Sequence, residues 1–313
     1  MPAMAPSPAR QRGFGGNTFQ TLSFIAGYFM TKIVFSGLLA LLASSALPAQ
    51  AQGTSCTQWI DTLPVDINAP GHYCLRNSVD TGQAGGAFNI NASGVTLDCR
   101  GRSVRHVDAD NDAFGIAAGG FGPVADVTVR NCKLVGFATG IVFSPGSERV
   151  QIVNNDIVRA RYDGISLWGR DSKIIGNRIL EGRAASGLDY ARNITVSAFQ
   201  PGTPSTGNVI SNNLVSGGAD NGRIWGIRVD FSNGAVVHGN EIVGLRPNAG
   251  GFAVAIQIDG SDAQVSNNVM TGGEGTQFGI AGAPALCTRN IALGMASAGF
   301  ASCARSVNDI EQP

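Results

Sequence analysis

The sequence predicts an all-β solenoid, a stack of about eight or nine coils built from short parallel strands. One phrase recurs seven times: apolar residues, a polar step, a position that is usually Asn, and more apolar residues, as in QIVNNDIVR and VVHGNEIVG. The successive spacings of that position are 23, 22, 35, 28, 27 and 23 residues, a solenoid period with occasional insertions. The position holds Cys132, Asn155, Asn177, Asn212, Asn240, Asn267 and Asn290.

A further run in each coil, such as GISLW or GIRVD, alternates between apolar and other residues. Alternation with a period of two is typical of β-strands, and no helical periodicity interrupts it. It predicts a core face formed by Ile141, Phe143, Ile165, Leu167, Ile194, Val196, Ile227, Val229, Ile256 and Ile258.

We interpret the recurring Asn residues as structural. An Asn at one tight bend per coil can stack its amide on the amides above and below and bond the backbone of the turn. Ligand contact is the alternative, and it is less favoured because the residue recurs in nearly every coil.

Two segments, VTLDCRGRSV and VTVRNCKLVGFATGIVF, carry a family resemblance together with the Asn position. From roughly Gly71 to Cys303 the chain resembles right-handed parallel β-helix repeat proteins of the pectin-lyase-like superfamily, of the secreted bacterial type. The resemblance implies an all-β, right-handed parallel β-helix with end caps. It also implies that the outer face of the sheet formed by the third runs, with the loops beside it, makes a sugar-binding groove.

The chain divides into four predicted segments. Residues 1–51 contain a signal peptide, with Lys32, an apolar run and an A-x-A site at Ala49–Ala51. Met30 fits its start, which makes residues 1–29 an upstream extension; an extended signal region is the alternative. Residues 52–89 are predicted to form an N-terminal cap, 90–303 the parallel β-helix and 304–313 a C-terminal tail.

All six cysteines follow the signal peptide, and an even number in an exported chain predicts disulfides. Proximity in sequence favours Cys56–Cys74 and Cys287–Cys303 as staples at the two ends. Cys99 and Cys132 occupy similar places in neighbouring coils and could meet across them. No Cys or His spacing suggests zinc.

Composition narrows the classes of partner. Charged residues make up 14% of the chain and the formal net charge is zero, so nucleic acid is an unfavourable partner. The apolar run in the signal region is short for a membrane span, and we expect no transmembrane segment in the mature chain. The signal peptide predicts a secreted or periplasmic protein, and the resemblance implies a polysaccharide as its partner. We also expect a monomer.

Two outward rows on the third run contain the candidate site. Asp230, Asp259 and Arg228 are the candidate catalytic residues, because adjacent carboxylates repel unless they share a proton or bind a cation. The pair could instead bind Ca²⁺, and solvated strand ends without function are the simpler alternative. The candidate substrate-binding residues are Trp168, which could stack on a sugar ring, and Gln257, Ser166 and Thr195.

The insertions Glu181–Asp189 and Phe199–Thr206 are predicted to wall the groove. Neither the Gly-His-Gly and Arg-Ile-Lys elements of polygalacturonases nor the acidic calcium cluster of pectate lyases is evident. Two functions therefore remain open. One is a polysaccharide-active enzyme, a uronic-acid lyase or a glycoside hydrolase-like enzyme. The other is a non-catalytic β-helix that binds glycans or serves the cell envelope.

Overall fold

Short strands, each making one side of a coil, account for nearly all regular structure in the computed structural model. The structure describes residues 55–108, 112–182, 190–198, 205–218, 222–247, 250–273 and 275–312. The predicted signal peptide in residues 1–51 lies outside the described residues. Most of the two predicted insertions, residues 183–189 and 199–204, also lies outside them.

The described strands stack into three parallel sheets of 11, 10 and 10 strands. The first sheet contains β1 (Gln58–Ile60), β3 (Gly71–Leu75), β6 (Val95–Asp98), β9 (Thr128–Arg130), β12 (Gln151–Val153), β15 (Lys173–Ile175), β19 (Val209–Ser211), β23 (Val236–His238), β26 (Gln264–Ser266), β29 (Ala285–Thr288) and β32 (Cys303–Val307). The second sheet contains β4 (Val79–Thr81), β7 (Ser103–His106), β10 (Lys133–Val135), β13 (Asp156–Val158), β16 (Arg178–Leu180), β20 (Leu214–Gly218), β24 (Glu241–Arg246), β27 (Val269–Gly272), β30 (Ile291–Leu293) and β33 (Ile310–Gln312).

The outer face of the third sheet, which points away from the core, contains the candidate site. The third sheet is described strand by strand. This sheet contains β2 (Val65–Ile67), β5 (Gly85–Ile90), β8 (Ala113–Ala118), β11 (Thr139–Glu148), β14 (Asp163–Arg170), β17 (Tyr190–Ser197), β21 (Arg223–Asp230), β25 (Ala253–Asp259), β28 (Thr276–Gly282) and β31 (Ala298–Phe300). A small fourth sheet pairs β18 (Ser205–Thr206) with β22 (Ser232–Asn233). The predicted fold class, an all-β parallel solenoid, is confirmed.

The apolar alternation of the third runs also predicts the core correctly. One column of isoleucines runs through the third sheet in direct register, and all its members are fully buried. Like side chains stacked at the strand spacing of about 4.8 Å bury one another completely, which removes apolar surface from water at each coil. The column is Ile141, Ile165, Ile194, Ile227, Ile256 and Ile280.

A ladder of buried side-chain amides runs beside this core, where the first sheet turns into the second. In each step a side-chain oxygen accepts from the backbone N–H and the side-chain amide of the previous member at 2.9–3.1 Å. The ladder contains Asn155, Asn177, Asn213, Asn240, Asn268 and Asn290. The structural interpretation is therefore correct, but two of the predicted members, Asn212 and Asn267, are each one residue too early.

Asn212 and Asn267 are the turn residues that precede the ladder. Their φ angles are 53° and 54°, in the left-handed region that Asn tolerates better than most residues. In the coils of Asn177 and Asn240 the same place is held by Gly176 and Gly239. A left-handed residue followed by a buried Asn is thus the full turn motif.

The coils continue into the segments expected to be cap and tail. β1 to β4, within residues 52–89, already pair with β3, β5, β6 and β7 of the three sheets. At the other end β32 and β33 pair with β29 and β30, and Asp309 accepts the last ladder hydrogen bonds from Asn290. The apolar core already begins in the first of these segments, because Ile67 and Leu75 are buried there. The stack therefore extends from Gln58 to Gln312, beyond the expected limits of 90 and 303.

Three disulfides connect neighbouring coils: Cys56–Cys74, Cys99–Cys132 and Cys287–Cys303. These are the pairs predicted from sequence. Two of them fasten the ends of the stack, where a solenoid has a neighbour on one side only. Within the described part of the chain, no helix has the length and apolar character needed to cross a membrane.

Candidate functional site

The outer face of the third sheet contains the predicted rows in the expected register. Val142, Ser166, Thr195, Arg228, Gln257 and Ala281 are successive partners across neighbouring strands. A second row, two residues further along each strand, is formed by Trp168, Ser197, Asp230 and Asp259. All seven candidate catalytic and substrate-binding residues therefore lie on one face, spread over four neighbouring strands.

Asp230 and Asp259 form the chemical centre of this face. They are directly opposite each other on β21 and β25, and their carboxyl groups share a hydrogen bond. Arg228 Nε donates to Asp230 Oδ1 at 2.8 Å, and Ser197 Oγ donates to Asp230 Oδ2 at 3.4 Å. Gln257 Nε2 donates to Asp259 Oδ2 at 2.7 Å. Two carboxylates this close repel each other when both are charged, which favours retention of a proton by one of them.

Asp259 is the member whose carboxyl group has a raised pKa. Burial raises the pKa of its carboxyl group above the usual value, and the charge of Asp230 and the hydrogen bond with it raise the pKa further. The hydrogen bond from Gln257 and the charge of Arg228 act in the opposite direction but do not reverse the shift. Asp230 accepts hydrogen bonds from Arg228 and Ser197.

The raised pKa of Asp259 predicts a pH-dependent stability difference. The folded protein holds this proton more tightly than the unfolded chain, so the stabilisation is complete below the usual Asp pKa of 3.8 and lost as pH rises through the higher folded value. Asp259→Asn stays neutral at every pH. The melting temperature of this variant minus that of the parent is therefore expected to increase as pH rises from ~3.5 to ~8.

Asp80 provides a control of opposite sign. A hydrogen bond from Arg105 lowers the pKa of its carboxyl group, so Asp80→Asn should lose stability relative to the parent as pH rises over the same range. Melting curves of both variants and the parent, followed by circular dichroism, measure the two trends. Parallel trends for the two variants would contradict the raised pKa of Asp259.

Arginines stacked on aromatic rings flank the carboxyl pair. The Arg228 guanidinium carbon lies 4.7 Å from the centre of the Trp225 ring, and that of Arg192 lies 5.0 Å from the Tyr190 ring. Trp225 Nε1 donates to Gln257 Oε1, and Gln257 Nε2 donates to Asp259. The Trp225 ring is thus connected to the carboxyl pair through Gln257. Stacking on a ring leaves the edge of a guanidinium available for an anion.

Arg192 on β17 and Asp163 on the neighbouring strand β14 form a bidentate ion pair. Arg192 Nε and Nη2 donate to the two oxygens of Asp163 at 2.6 and 2.9 Å. Burial alone lowers the pKa of Arg192, but the charge and hydrogen bond of Asp163 raise it above its usual value. This pair fixes the guanidinium in place, so it acts as a structural support for the face.

The predicted substrate-binding residues are present at the face, with differing exposure. Trp168 is half-buried, and its Nε1 donates to Ser166 Oγ at 3.0 Å, so its ring is fixed along the same row as Asp230. Thr195 is buried, and its hydroxyl makes no hydrogen bond within the described part of the chain. The roles of these residues stay predictions.

The donor set does not fit Ca²⁺. That ion takes six to eight oxygen ligands, whereas one oxygen of each Asp here already accepts an N–H, and the Arg228 cation is adjacent. Among the described residues, only Cys56, His72 and Cys74 bring three potential metal-ligand atoms together. The two cysteines are bonded to each other in a disulfide, which removes them as ligands.

A family model confirms the class of fold. Residues 120–291, more than half of the 313-residue chain, match a model described as a right handed beta helix region. The chain belongs to the right-handed β-helix family. The match contains β9 to β29, so it includes the whole carboxyl pair and its arginines.

Three solved structures illustrate what the chain is similar to. DFA-IIIase from Arthrobacter chlorophenolicus A6, in complex with GF2, is 13% identical over 75% of this chain and 69% of its own, with a TM-score of 0.45. The A-module of the mannuronan C-5 epimerase AlgE4 from Azotobacter vinelandii is 14% identical over 77% and 76%, with a TM-score of 0.40. The Dettilon tailspike protein is 13% identical over 80% and 60%, with a TM-score of 0.34.

These similarities concern the shape of the backbone alone. A search of curated proteins finds no match. The chemistry of the site must therefore be argued from the residues of this β-helix.

Sequence reasoning missed one residue at this site, Phe231. It directly follows Asp230, is 54% exposed and lines the same groove as Asp259. The sequence contains an indication of this residue, because an aromatic side chain is unexpected between the end of a strand and the polar turn SNG.

Proposed function

We propose that this β-helix is an exported enzyme that cleaves an acidic polysaccharide in the manner of a uronic-acid lyase. The observation that supports this best is the pair of Asp230 and Asp259, which lie directly opposite each other on neighbouring strands and share a hydrogen bond. A neighbouring acid and base is the arrangement that acid–base catalysis requires, and the raised pKa of the Asp259 carboxyl group suits it to the role of the acid. We further propose that the protein acts as a monomer.

The pair can perform β-elimination in one cycle. Asp230 takes the proton from C5 of the uronic acid, a C4–C5 double bond forms, and the bond from C4 to the glycosidic oxygen breaks. Asp259 gives its proton to the departing oxygen. The proton on Asp230 then passes along the shared hydrogen bond to Asp259, which restores the starting state without a further reactant.

The closeness of the two carboxyl groups favours elimination over hydrolysis. Inverting glycosidases hold their carboxyl groups about 6.5–9.5 Å apart to admit water, and retaining enzymes hold them about 5–5.5 Å apart. Groups that share a hydrogen bond leave no space between them for a water molecule or a sugar carbon. Syn elimination, in which the C5 proton and the leaving oxygen lie on the same side of the sugar, is compatible with two adjacent carboxyl groups on one face.

Arg228 supplies the charge that elimination from a uronic acid needs. Removal of the C5 proton places negative charge on the adjoining carboxylate, and a fixed guanidinium stabilises charge that develops there. Arg228 Nε donates to Asp230, and the plane of the guanidinium stacks on the Trp225 ring. The two Nη groups of Arg228 can therefore donate to both oxygens of a substrate carboxylate.

The second candidate function is a non-catalytic glycan-binding or envelope β-helix. It is favoured by the small and neutral residues in the same rows, such as Val142 and Ala281, which extend the face without adding acids or bases. A catalytic groove usually concentrates titratable groups.

The covalent structure supports an extracytoplasmic compartment. The three disulfides fit an oxidising environment outside the cytoplasm. Export to the periplasm or the medium, directed by the signal peptide predicted in residues 1–51, is part of the proposal.

A polymer screen tests the proposed function. Mature protein is incubated with polygalacturonate, alginate, xylan and inulin, each with and without a calcium chelator, and unsaturated product is followed by ultraviolet absorbance. We expect unsaturated product from at least one polyuronate, unchanged by the chelator because the site does not fit Ca²⁺.

The other outcomes of this screen separate the alternatives. New reducing ends without unsaturated product would replace the lyase with a hydrolase. Retention on a polymer in affinity electrophoresis, with no product of either kind, would favour the glycan-binding function.

A further inference from the structure

Phe231 occupies a backbone conformation that its side chain does not favour. Its φ is 51°, in the left-handed region, and every other non-glycine residue with positive φ in the described chain is Arg, Asp, Asn or Glu. A bulky side chain in this region is strained, and such strain concentrates at functional sites. The backbone is fixed from both sides: Phe231 N donates to Asp259 O, and its carbonyl oxygen accepts from Ser205 N, both at 3.1 Å.

Burial of the Phe231 ring contributes little to the stability of the fold. Phe231 is 54% exposed, whereas the large apolar side chains of the third sheet's inner face are fully buried. An exposed aromatic held at a strained position, immediately after a candidate catalytic residue, is better explained by a ligand than by packing.

A groove of about 570 Å³ lies beside the ring, at the corner where the third sheet turns toward the first. This volume is within the usual range for a small-molecule site. Ser261 Oγ donates to Asp262 Oδ2 at 3.0 Å, and Asn233 Oδ1 accepts from Ser261 N at 3.1 Å, so the polar wall is ordered. The groove is lined by Phe231, Asn233, Asp259, Ser261, Asp262 and Pro284.

Asp259 lines this groove and also belongs to the carboxyl pair, so the two sites are continuous. We propose that the groove binds the sugar ring next to the one at the carboxyl pair, with Phe231 stacked on its apolar face. This inference rests on the proposed function and extends it by a neighbouring subsite. A flat aromatic face suits the C–H face of a sugar ring, and the Asp262 carboxylate accepts hydroxyl hydrogens but repels a carboxylate. The subsite therefore takes a ring with its hydroxyl edge toward Asp262.

Phe231→Gly tests the subsite without a folding penalty. Glycine adopts a φ of 51° freely, so the melting temperature is expected to stay unchanged or rise. Affinity for polygalacturonate and alginate, measured by affinity electrophoresis, is expected to fall about tenfold on whichever polymer the parent binds, with a matching rise in KM and no change in kcat. Phe231→Trp keeps an aromatic face and should retain the affinity.

Phe121→Gly is the matched control, because Phe121 is even more exposed, at 90%, on the turn after β8. Its removal should leave affinity unchanged, and an equal loss would overturn the assignment to Phe231. Parent-like affinity of Phe231→Gly would overturn the subsite alone. A parent protein that binds neither polymer would overturn the proposed function and the subsite together. If Phe231→Gly fails to fold, Phe231→Asn gives the same readout, since Asn also tolerates this conformation.

Discussion

Asn213→Ala is expected to destabilise the protein by about 3–5 kcal/mol, because it removes an inner member of the amide ladder. Asn177 N and Nδ2 both donate to Asn213 Oδ1, at 2.9 and 3.0 Å, and would lose their acceptor. Asn213 Nδ2 donates to Ile174 O and Asn240 Oδ1, both at 2.9 Å, and these oxygens would lose a donor. Because these groups are buried, water cannot replace the lost partners. A decrease in melting temperature of roughly 10 °C follows for a chain of this length.

The adjacent residue supplies the matched control for this prediction. Asn212 is exposed and has left-handed φ, and Gly176 and Gly239 hold the same turn position in other coils. Asn212→Gly should therefore stay within about 0.5 kcal/mol of the parent. Urea denaturation of both variants and the parent measures the difference. Similar losses for the two variants would show that the ladder does not carry the stability assigned to it.

The core could be predicted from the sequence because each coil repeats one physical constraint. A side chain that points inward from a strand must be apolar and must stack on its counterpart in the next coil. Ile165, Ile194 and Ile227 satisfy that constraint one after another, so alternation alone placed them correctly. The disulfides were predictable for the same reason, since Cys99 and Cys132 occupy similar places in successive coils.

The amide ladder shows where the repeat becomes ambiguous. Two coils contain consecutive asparagines, Asn212–Asn213 and Asn267–Asn268, and both members are polar and small. Alignment on flanking apolar residues cannot tell the left-handed turn residue from the buried one. The coils with Gly176 and Gly239 resolve the ambiguity, since glycine marks the left-handed position directly.

The candidate site was predictable only in its outline. Register follows from the repeat, so the opposition of Asp230 and Asp259 was expected. Nothing in the repeat says which side chains bond to each other. The contacts of Arg228 with Asp230 and Trp225, and the exposed ring of Phe231, depend on turns whose lengths differ from coil to coil.

Asp259→Asn is expected to lower kcat about 10²–10⁴-fold on the polymer that the parent cleaves, because an amide cannot give the proton that the departing oxygen needs. The melting temperature at neutral pH should stay level or rise slightly, since the variant removes a carboxyl group that repels Asp230 when charged. Initial rates of unsaturated product, together with melting curves, measure both effects. A large loss of rate with no loss of stability is the signature of a residue that works in the reaction.

Two further variants on the same sheet separate chemistry from folding. Ile256→Ala, three residues earlier on β25, empties core volume and should cost about 2–5 kcal/mol of stability while each folded molecule keeps its kcat. Asp66→Asn makes the same chemical change as Asp259→Asn on the outer face of β2, where Asp66 is exposed and accepts a hydrogen bond from Asn89, and should leave kcat unchanged. A stability loss for Asp259→Asn as large as that of Ile256→Ala would make the carboxyl pair structural. Full activity of Asp259→Asn would instead move the acid to another residue, because a proton donor that can be removed without cost is not the donor.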